Sequence, residues 1–221
     1  MIIIIDPGHG GTARVGGSSP NNATRPNGLL EKAVTLDVAL RLHERLQSTS
    51  HQVLLTRDSD TSLGLADRAR LARDNNADAF VSIHCNGADD ATIQGTETWI
   101  HNNATRDSDL LAGSVQQRMV AATGHRDRGV KKANFGVLNP RHHLQPTAAC
   151  LAEISFLTDS AEELRLGQEA YKDGIAEALE QALLDFEARA ARELLLAAAE
   201  ETMIGDAVEL AAQPGQGANV F

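Results

Sequence analysis

The sequence predicts an α/β fold, a three-layer sandwich in which a central, mostly parallel sheet of about six strands is flanked by helices. Short apolar runs typical of buried strands alternate along the chain with amphipathic segments typical of helices. Hydrophobic residues make up 42% of the 221 residues and aromatic residues only 3%, which indicates an aliphatic core in one domain of ordinary size. Because helices that alternate with strands cover both faces of a sheet, a sandwich follows.

The first half of the chain contains three predicted strands and two predicted helices. The apolar run 1–5 predicts a buried strand, and the loop-forming residues Asp6-Pro7-Gly8 end it. After a glycine-rich loop that extends to residue 28, apolar residues at a spacing of four predict an amphipathic helix: Leu30, Val34, Val38, Leu42 and Leu46. Residues 52–56 then predict a strand, 62–75 a helix and 79–83 a third strand.

The second half continues this alternation and ends in a long helical segment. Residues 95–101 predict a strand and 107–122 a helix, and the apolar segments 136–138 and 150–156 predict the last two strands. From Gln168 an apolar face at helical spacing continues to about residue 202, where Gly205 is expected to break the helix. We therefore divide the chain into a core of residues 1–186 and an Ala-rich helical extension, 187–221, with a disordered tail from Gln213.

Composition and charge argue against several classes of partner. The formal net charge of −10 argues against nucleic acid, and no apolar run reaches the length of a membrane span. One Trp and one Tyr are too few for a stacked aromatic platform that binds carbohydrate. Cys85 and Cys150 are expected to be buried free thiols. No signal-peptide pattern precedes the first strand, so the chain is expected to be made in the cytoplasm and to act after release or export.

Three residues with metal-binding side chains stand at the ends of predicted strands or helices. His9 follows the first strand, Glu31 begins the first long helix and His84 follows the third strand. The carboxyl ends of parallel strands share one edge of a sheet, where ligand sites form, so these three side chains can meet. Two imidazoles and one carboxylate are a catalytic zinc set that leaves a fourth position open. A single His beside a glycine-rich turn is ordinary, however, so the triad needs further support.

That support is Glu153, which lies inside the apolar strand predicted for residues 150–156. A carboxylate in the middle of a hydrophobic strand is costly to bury unless it has a function. A position facing the open side of a bound metal would supply that function. Cys85 is not expected to be a fourth ligand, because it follows His84 directly and neighbouring side chains of a strand point to opposite faces.

Eight segments, in order, resemble the N-acetylmuramoyl-L-alanine amidase family called amidase-3. They are IIIIDPGHGG (2–11), the helix that Glu31 begins, LLTRDSD (54–60), LADRARLAR (65–73), ADAFVSIHCN (77–86), GTETW (95–99), RGVKKANFGVL (128–138) and LAEISFLTD (151–159). The resemblance covers residues 1 to about 185. It implies that residues 1–186 are a catalytic domain whose substrate is peptidoglycan. The enzyme would hydrolyse the amide between the lactyl group of N-acetylmuramic acid and L-alanine of the stem peptide.

The resemblance also implies which residues form the active site. By it, His9, Glu31 and His84 are the ligands of one Zn²⁺ per chain. Glu153 corresponds to the catalytic glutamate of the family, which takes a proton from water and delivers it to the departing nitrogen. The substrate assignment rests on the resemblance, because the same four residues could serve another hydrolase.

Four further residues are candidate substrate contacts. Asn86 and Asn134 fall in segments that the family places around the site. His142 and His143 lie in a loop between the last strands that could overhang the cleft. Arg68, in the family's helix motif, is expected instead to tie its helix to neighbouring structure.

The biological role is less constrained than the reaction. Residues 99 to 153 leave little room for the inserted helix that blocks the zinc site in division-associated amidases, so the chain resembles the compact lytic enzymes of phages and prophages. The alternatives are an autolysin or remodelling amidase, a zinc deacylase acting on another amide, and a catalytically dead binding module. The extension is too apolar at Leu194, Leu195 and Leu196 to be solvated on every side, so we expect it to pack on the domain or to self-associate.

Overall fold

The computed structural model of this chain describes residues 1–23, 28–143 and 146–212, with side chains of the last helix described without a gap as far as residue 196. These residues form six strands, β1 (Ile2–Pro7), β2 (Gln52–Leu55), β3 (Ala79–Asn86), β4 (Thr96–Ile100), β5 (Asp127–Lys132) and β6 (Ala148–Phe156). The helices are α1 (Glu31–Leu46), α2 (Leu65–Asp74), α3 (Arg106–Thr123), α4 (Ser160–Leu166) and α5 (Glu169–Ala212).

The six strands form one mostly parallel sheet in the order β2-β1-β3-β6-β4-β5. Strands β2, β1, β3 and β6 run parallel, β4 is antiparallel to β6, and β5 is parallel to β4. The carboxyl ends of β1, β3 and β6 therefore meet at one edge of the sheet. This arrangement confirms the predicted sandwich with a mostly parallel sheet of six strands.

Two aliphatic layers cover the two faces of the sheet. In β1, Ile3 and Ile5 join the larger apolar cluster, which includes residues of α1, α3 and α5, whereas Ile4 joins a smaller cluster on the opposite face. Helix α2 and a short 3₁₀ helix (Gly136–Leu138) pack on that second face. Because side chains of a strand alternate between faces, every second residue of β3, β4 and β6 faces the α2 side.

The prediction of a strand at 136–138 is wrong, because this segment is the 3₁₀ helix that packs on the α2 face of the sheet. Val137 and Leu138 are buried there against the smaller apolar cluster, so their hydrophobicity reflects packing rather than strand pairing. The missing strand is β5, at the edge of the sheet. Its residues are mostly polar, none of them is buried, and Gly129 has a positive φ, so this edge strand carries no apolar pattern.

The expected helix break at Gly205 is also wrong, because α5 continues to Ala212. One glycine in a helix costs about 1 kcal/mol, which a long helix tolerates. Leu194, Leu195 and Leu196 are 73%, 72% and 54% exposed, so this part of the extension does not pack back on the domain. Self-association through it stays a prediction, and the tail from Gln213 lies outside the described residues.

One prediction from composition is confirmed. Cys85 and Cys150 are buried free thiols. In the described part of the chain, no helix combines the length and the hydropathy needed to cross a bilayer.

Candidate metal and catalytic site

A row of three ionisable side chains crosses three adjacent strands on the α2 side of the sheet. Glu153 of β6 is paired in register with His84 of β3 on one side and with Glu97 of β4 on the other. Paired residues of neighbouring strands point to the same face, so the three side chains stand side by side. The row lies at the carboxyl ends of β3 and β6, the edge at which ligand sites form in α/β sheets.

His9 reaches this row from the loop after β1. Its backbone has a φ of 59°, an uncommon value for a residue other than glycine and one often found at functional sites. The preceding Gly8 lets the loop approach the row, since a Cβ at that position would lie 2.4 Å from ring atoms of His84. The two imidazole rings are 4.8 Å apart between centroids.

Two buried arginines hold this loop in place. Arg68 of α2 donates hydrogen bonds to Asp6 Oδ1 at 2.8 Å, to the Pro7 carbonyl at 2.7 Å and to the His9 carbonyl at 2.5 Å. Arg57 donates to the carbonyl oxygens of Pro7 and Gly8 from the other side. The expected structural role of Arg68 is therefore confirmed, while the role of Arg57 was not predicted.

Glu31, the first residue of α1, completes a group of three possible metal ligands. Its Oε1 lies 3.1 Å from Nε2 of His9 and 3.0 Å from Nδ1 of His84. The ligand atoms of the three residues all lie within 4.8 Å of one another. A tetrahedral zinc ion with bonds of about 2.0–2.1 Å needs ligand atoms about 3.3 Å apart, and the two distances from Glu31 are close to that spacing.

The surrounding hydrogen bonds orient the same three side chains. The Ser19 carbonyl lies 2.9 Å from Nδ1 of His9, and because a carbonyl only accepts, Nδ1 carries the hydrogen and Nε2 faces Glu31. Glu31 accepts hydrogen bonds from the backbone N–H groups of Ala23 and Cys85, both at 3.1 Å. Burial alone would raise the pKa of Glu31, but the two histidines hold it well below its ordinary value.

Glu153, the neighbour of His84 in the row, stands in a different environment from Glu31. Its Oε2 atom is closed off from solvent and has no hydrogen-bond partner within the described ranges. Burial, together with the carboxylates of Glu31 and Glu97, raises the pKa of Glu153 well above its ordinary value. A carboxyl group with a raised pKa can hold a proton near neutral pH and pass it on.

The cleft above the row has two arms that share His9 and His84. The first, which we call the polar arm, has a volume of about 270 Å³ and is bordered by Arg14, Ser18 and Ser19. The second, the aromatic arm, has a volume of about 350 Å³. It is bordered by Asn86, Glu97, Trp99, Phe135, Leu151 and Glu153. The catalytic glutamate predicted from the sequence therefore belongs to one arm only.

Glu97 is a functional candidate that the sequence reasoning missed. It is 3% exposed and accepts hydrogen bonds from Asn86 Nδ2 at 2.8 Å and from Trp99 Nε1 at 3.1 Å. Arg128 and Lys131 of β5 also donate to it, and although burial opposes ionisation, these two cations hold the pKa of Glu97 below its ordinary value. The available signal was the alternation of β4, which places Glu97 and Trp99 on one face.

Of the four predicted substrate contacts, one borders the cleft and three do not. Asn86 borders the aromatic arm, whereas Asn134 is exposed and borders neither arm. His142 does not line the cleft either. His143 is buried against Phe80, its Nε2 donates to the Val137 carbonyl, and it lines a small separate cavity at the amino end of β6. Neither His142 nor His143 therefore borders the cleft.

Comparison with known proteins gives consistent matches. A family model described as N-acetylmuramoyl-L-alanine amidase, Amidase_3, matches residues 3–185. The N-acetylmuramoyl-L-alanine amidase LytC of Bacillus subtilis (strain 168) is 35% identical over 185 residues, which are 83% of this chain and 35% of LytC, so the chain spans about a third of that relative.

Two solved structures match this chain over nearly their whole length. The structure of an N-acetylmuramoyl-L-alanine amidase from Clostridium difficile 630 superposes with a TM-score of 0.75 at 37% identity, over 84% of this chain and 95% of the other. The catalytic domain of CwlV from Bacillus (Paenibacillus) polymyxa var. colistinus gives 0.74 at 28% identity, over 84% and 97%.

Proposed function

The chain belongs to the N-acetylmuramoyl-L-alanine amidase family, Amidase_3, and we propose that it is a zinc-dependent amidase acting on peptidoglycan. The bond cut is the amide between the lactyl group of N-acetylmuramic acid and L-alanine. The observation that carries the proposal is the convergence of His9, Glu31 and His84 on one point beside Glu153. A zinc ion held by the three residues would supply a Lewis acid and lower the pKa of water to about 7.

The protein groups account for binding and proton movement. The buried Glu31 stays ionised between two histidines, which suits a ligand for a cation. Amide hydrolysis also needs a group that takes a proton from the attacking water and returns it to the leaving nitrogen. Glu153 borders the cleft, and among the described residues no hydrogen bond ties up its Oε2, so its carboxyl group is available for both transfers. Proton transfer by a positioned carboxyl is worth about 10²–10⁴-fold in rate.

Within this activity we favour a lytic role of the phage type over slow wall remodelling. Between β4 and β6 the described residues form α3, β5 and the 3₁₀ helix. Helix α3 packs on the face of the sheet opposite the cleft, so it does not cover the site. An enzyme with an open cleft needs no release step before it acts. Purified chain added to intact sacculi should clear them without an activator; clearing that needs a second protein would favour remodelling.

Muropeptide mass spectrometry of digested sacculi tests the reaction itself. We expect new L-alanine amino termini without new sugar reducing ends, and we expect a chelator to stop the reaction and added Zn²⁺ to restore it. Cleavage of some other amide would favour a zinc deacylase. Binding to sacculi without cleavage would favour a binding module.

A further inference from the structure

Two cations beside the cleft share a single carboxylate. Arg128 and Lys131 both donate to Oε2 of Glu97, and no other ion pair is found for either cation in the described ranges. Neither of them donates a hydrogen bond to Glu153, the other carboxyl group of the aromatic arm. Both cations keep side chains that are 30% exposed. Within the described ranges, this cluster therefore pairs two cations with one carboxylate, so one positive charge has no ion-pair partner of its own.

The two cations differ in how freely they can meet a ligand. Arg128 packs 5.0 Å above the Phe156 ring, and its side chain lies so close to Gly95 that a Cβ there would be 2.3 Å from its Cδ. Lys131 is paired in register with Trp99, and its Nζ lies 5.2 Å from the centre of that ring. Trp99 borders the aromatic arm, so Lys131, which does not itself line the arm, lies directly beside one of its lining residues.

The position of Glu153 orients the substrate between the two arms. Under the proposed function, the leaving group is the amine of L-alanine, and the proton it needs comes from Glu153. Glu153 borders the aromatic arm and not the polar arm. The peptide side of the cleaved bond must therefore extend along the aromatic arm, which leaves the polar arm, with Ser18 and Ser19, for the sugar side.

From the unbalanced charge and this orientation, we propose that Lys131 binds a carboxylate of the stem peptide near the cleaved bond, in the aromatic arm. This assignment rests on the proposed amidase function and adds to it a residue that determines specificity. An ammonium group on a flexible side chain suits a single carboxylate, and the fixed Arg128 keeps Glu97 satisfied when Lys131 turns to the substrate.

The experiment compares two muramoyl dipeptides that differ only in the second residue, which ends either in a free carboxylate or in a carboxamide. We expect the unmodified chain to prefer the carboxylate about tenfold in kcat/KM, the effect of one charge-assisted hydrogen bond, with the difference mainly in KM. Lys131→Gln should abolish this preference, and Lys131→Arg should keep part of it. Lys132→Gln is the matched control, because Lys132 is the next residue of β5 and pairs with Asp109 instead.

Each other outcome would overturn the assignment. Equal cleavage of both substrates by the unmodified chain would show that no carboxylate is recognised. A Lys131→Gln variant that loses both substrates equally would indicate that Lys131 only positions Glu97. A variant that keeps the full preference would place recognition elsewhere. If the zinc-loaded, unmodified chain cleaves neither dipeptide nor whole sacculi, the proposed function itself fails, which is a separate result.

Discussion

Two glutamates in one cleft, the buried Glu31 and the half-buried Glu153, have opposite surroundings. Glu31 is 1% exposed and is surrounded by four groups: two backbone N–H donors and the rings of His9 and His84. Glu153, in the same row as His84, has an enclosed Oε2 atom without any partner in the described structure. The comparison teaches that surroundings, rather than residue type, decide what a carboxyl group can do.

The same physical effect, burial, works against ionisation of both groups. At Glu31 the neighbouring histidines overcome it, and the pKa falls well below its ordinary value. At Glu153 the nearby carboxylates of Glu31 and Glu97 add to it, and the pKa rises well above its ordinary value. One glutamate is thus suited to hold a cation and the other to carry a proton, within one site and without any difference in side-chain chemistry.

The largest effect is expected from a substitution of Glu153. Glu153→Gln keeps the shape of the side chain but removes its ability to accept and return a proton. We expect kcat on muropeptides to fall by about 10²–10⁴-fold while zinc content is unchanged. Measured zinc stoichiometry and single-turnover rates check this, with Glu44→Gln on the exposed face of α1 as the matched control. A variant with retained activity would remove Glu153 from the mechanism.

The surroundings of Glu31 are tested by a substitution of His9. His9→Ala removes one ring from Glu31 and one of the three possible ligands. Changes to groups outside the ligand set already cost about 10–100-fold in metal affinity, so loss of a ligand should exceed about 100-fold. A zinc-competition titration measures the affinity. His43→Ala serves as the control, because His43 lies in the last turn of α1, at the opposite end of the helix from Glu31. Full zinc occupancy at nanomolar zinc would mean that the ligand set is wrong.

Asp6 is a carboxylate in a third kind of environment, because it is fully buried and paired with the cation of Arg68. Its burial opposes ionisation, but Arg68, Ser82 and Thr56 hold the pKa of Asp6 below its ordinary value of 3.8. A lowered pKa stabilises the fold above the ordinary value, and this contribution is lost as pH falls through the lowered value. Asp6→Asn should therefore reduce the free energy of unfolding by about 3–5 kcal/mol near neutral pH.

Urea unfolding of both chains between pH 7 and pH 2.5 checks the sign of this effect. The difference between Asp6→Asn and the unmodified chain should be constant above about pH 5 and should shrink below 3.8. The exposed Asp58→Asn is the control. A difference that grows on acidification would contradict the pairing of Asp6 with Arg68.

These environments also explain what the sequence could and could not reveal. The ends of two apolar strands and the start of a helix indicated that His9, His84 and Glu31 can meet, and a carboxylate inside an apolar strand singled out Glu153. The roles of the four residues were predicted from the family resemblance. Glu97 was missed because a polar residue in an alternating strand is ordinary on a solvated face. Only the pairing of β4 with β6 places it beside Glu153, and strand pairing is a long-range property that local pattern does not contain.

The same limit accounts for the misassigned strand and for the position of His143. The edge strand β5 has no apolar pattern, and the buried 3₁₀ helix has one, so hydrophobicity alone assigned the strand to the wrong segment. His143 was expected at the cleft because its loop joins the last strands. The buried position of His143 depends on its contact with Phe80, a residue of β3 that lies far from it in the chain.

The smallest effect is expected far from both glutamates, in the end of α5. The helix is tied to α3 by the ion pair between Arg106 and Glu193, and the exposed leucines begin directly after it. A chain ending at Glu193 keeps this pair, so its zinc affinity and kcat should stay within about twofold, since distant sites are usually independent. Light scattering on both chains tests self-association: a lower oligomeric state in the shorter chain would support it, and equal states would exclude it. A large loss of kcat would mean that the unequal environments of Glu31 and Glu153 depend on more than their immediate neighbours.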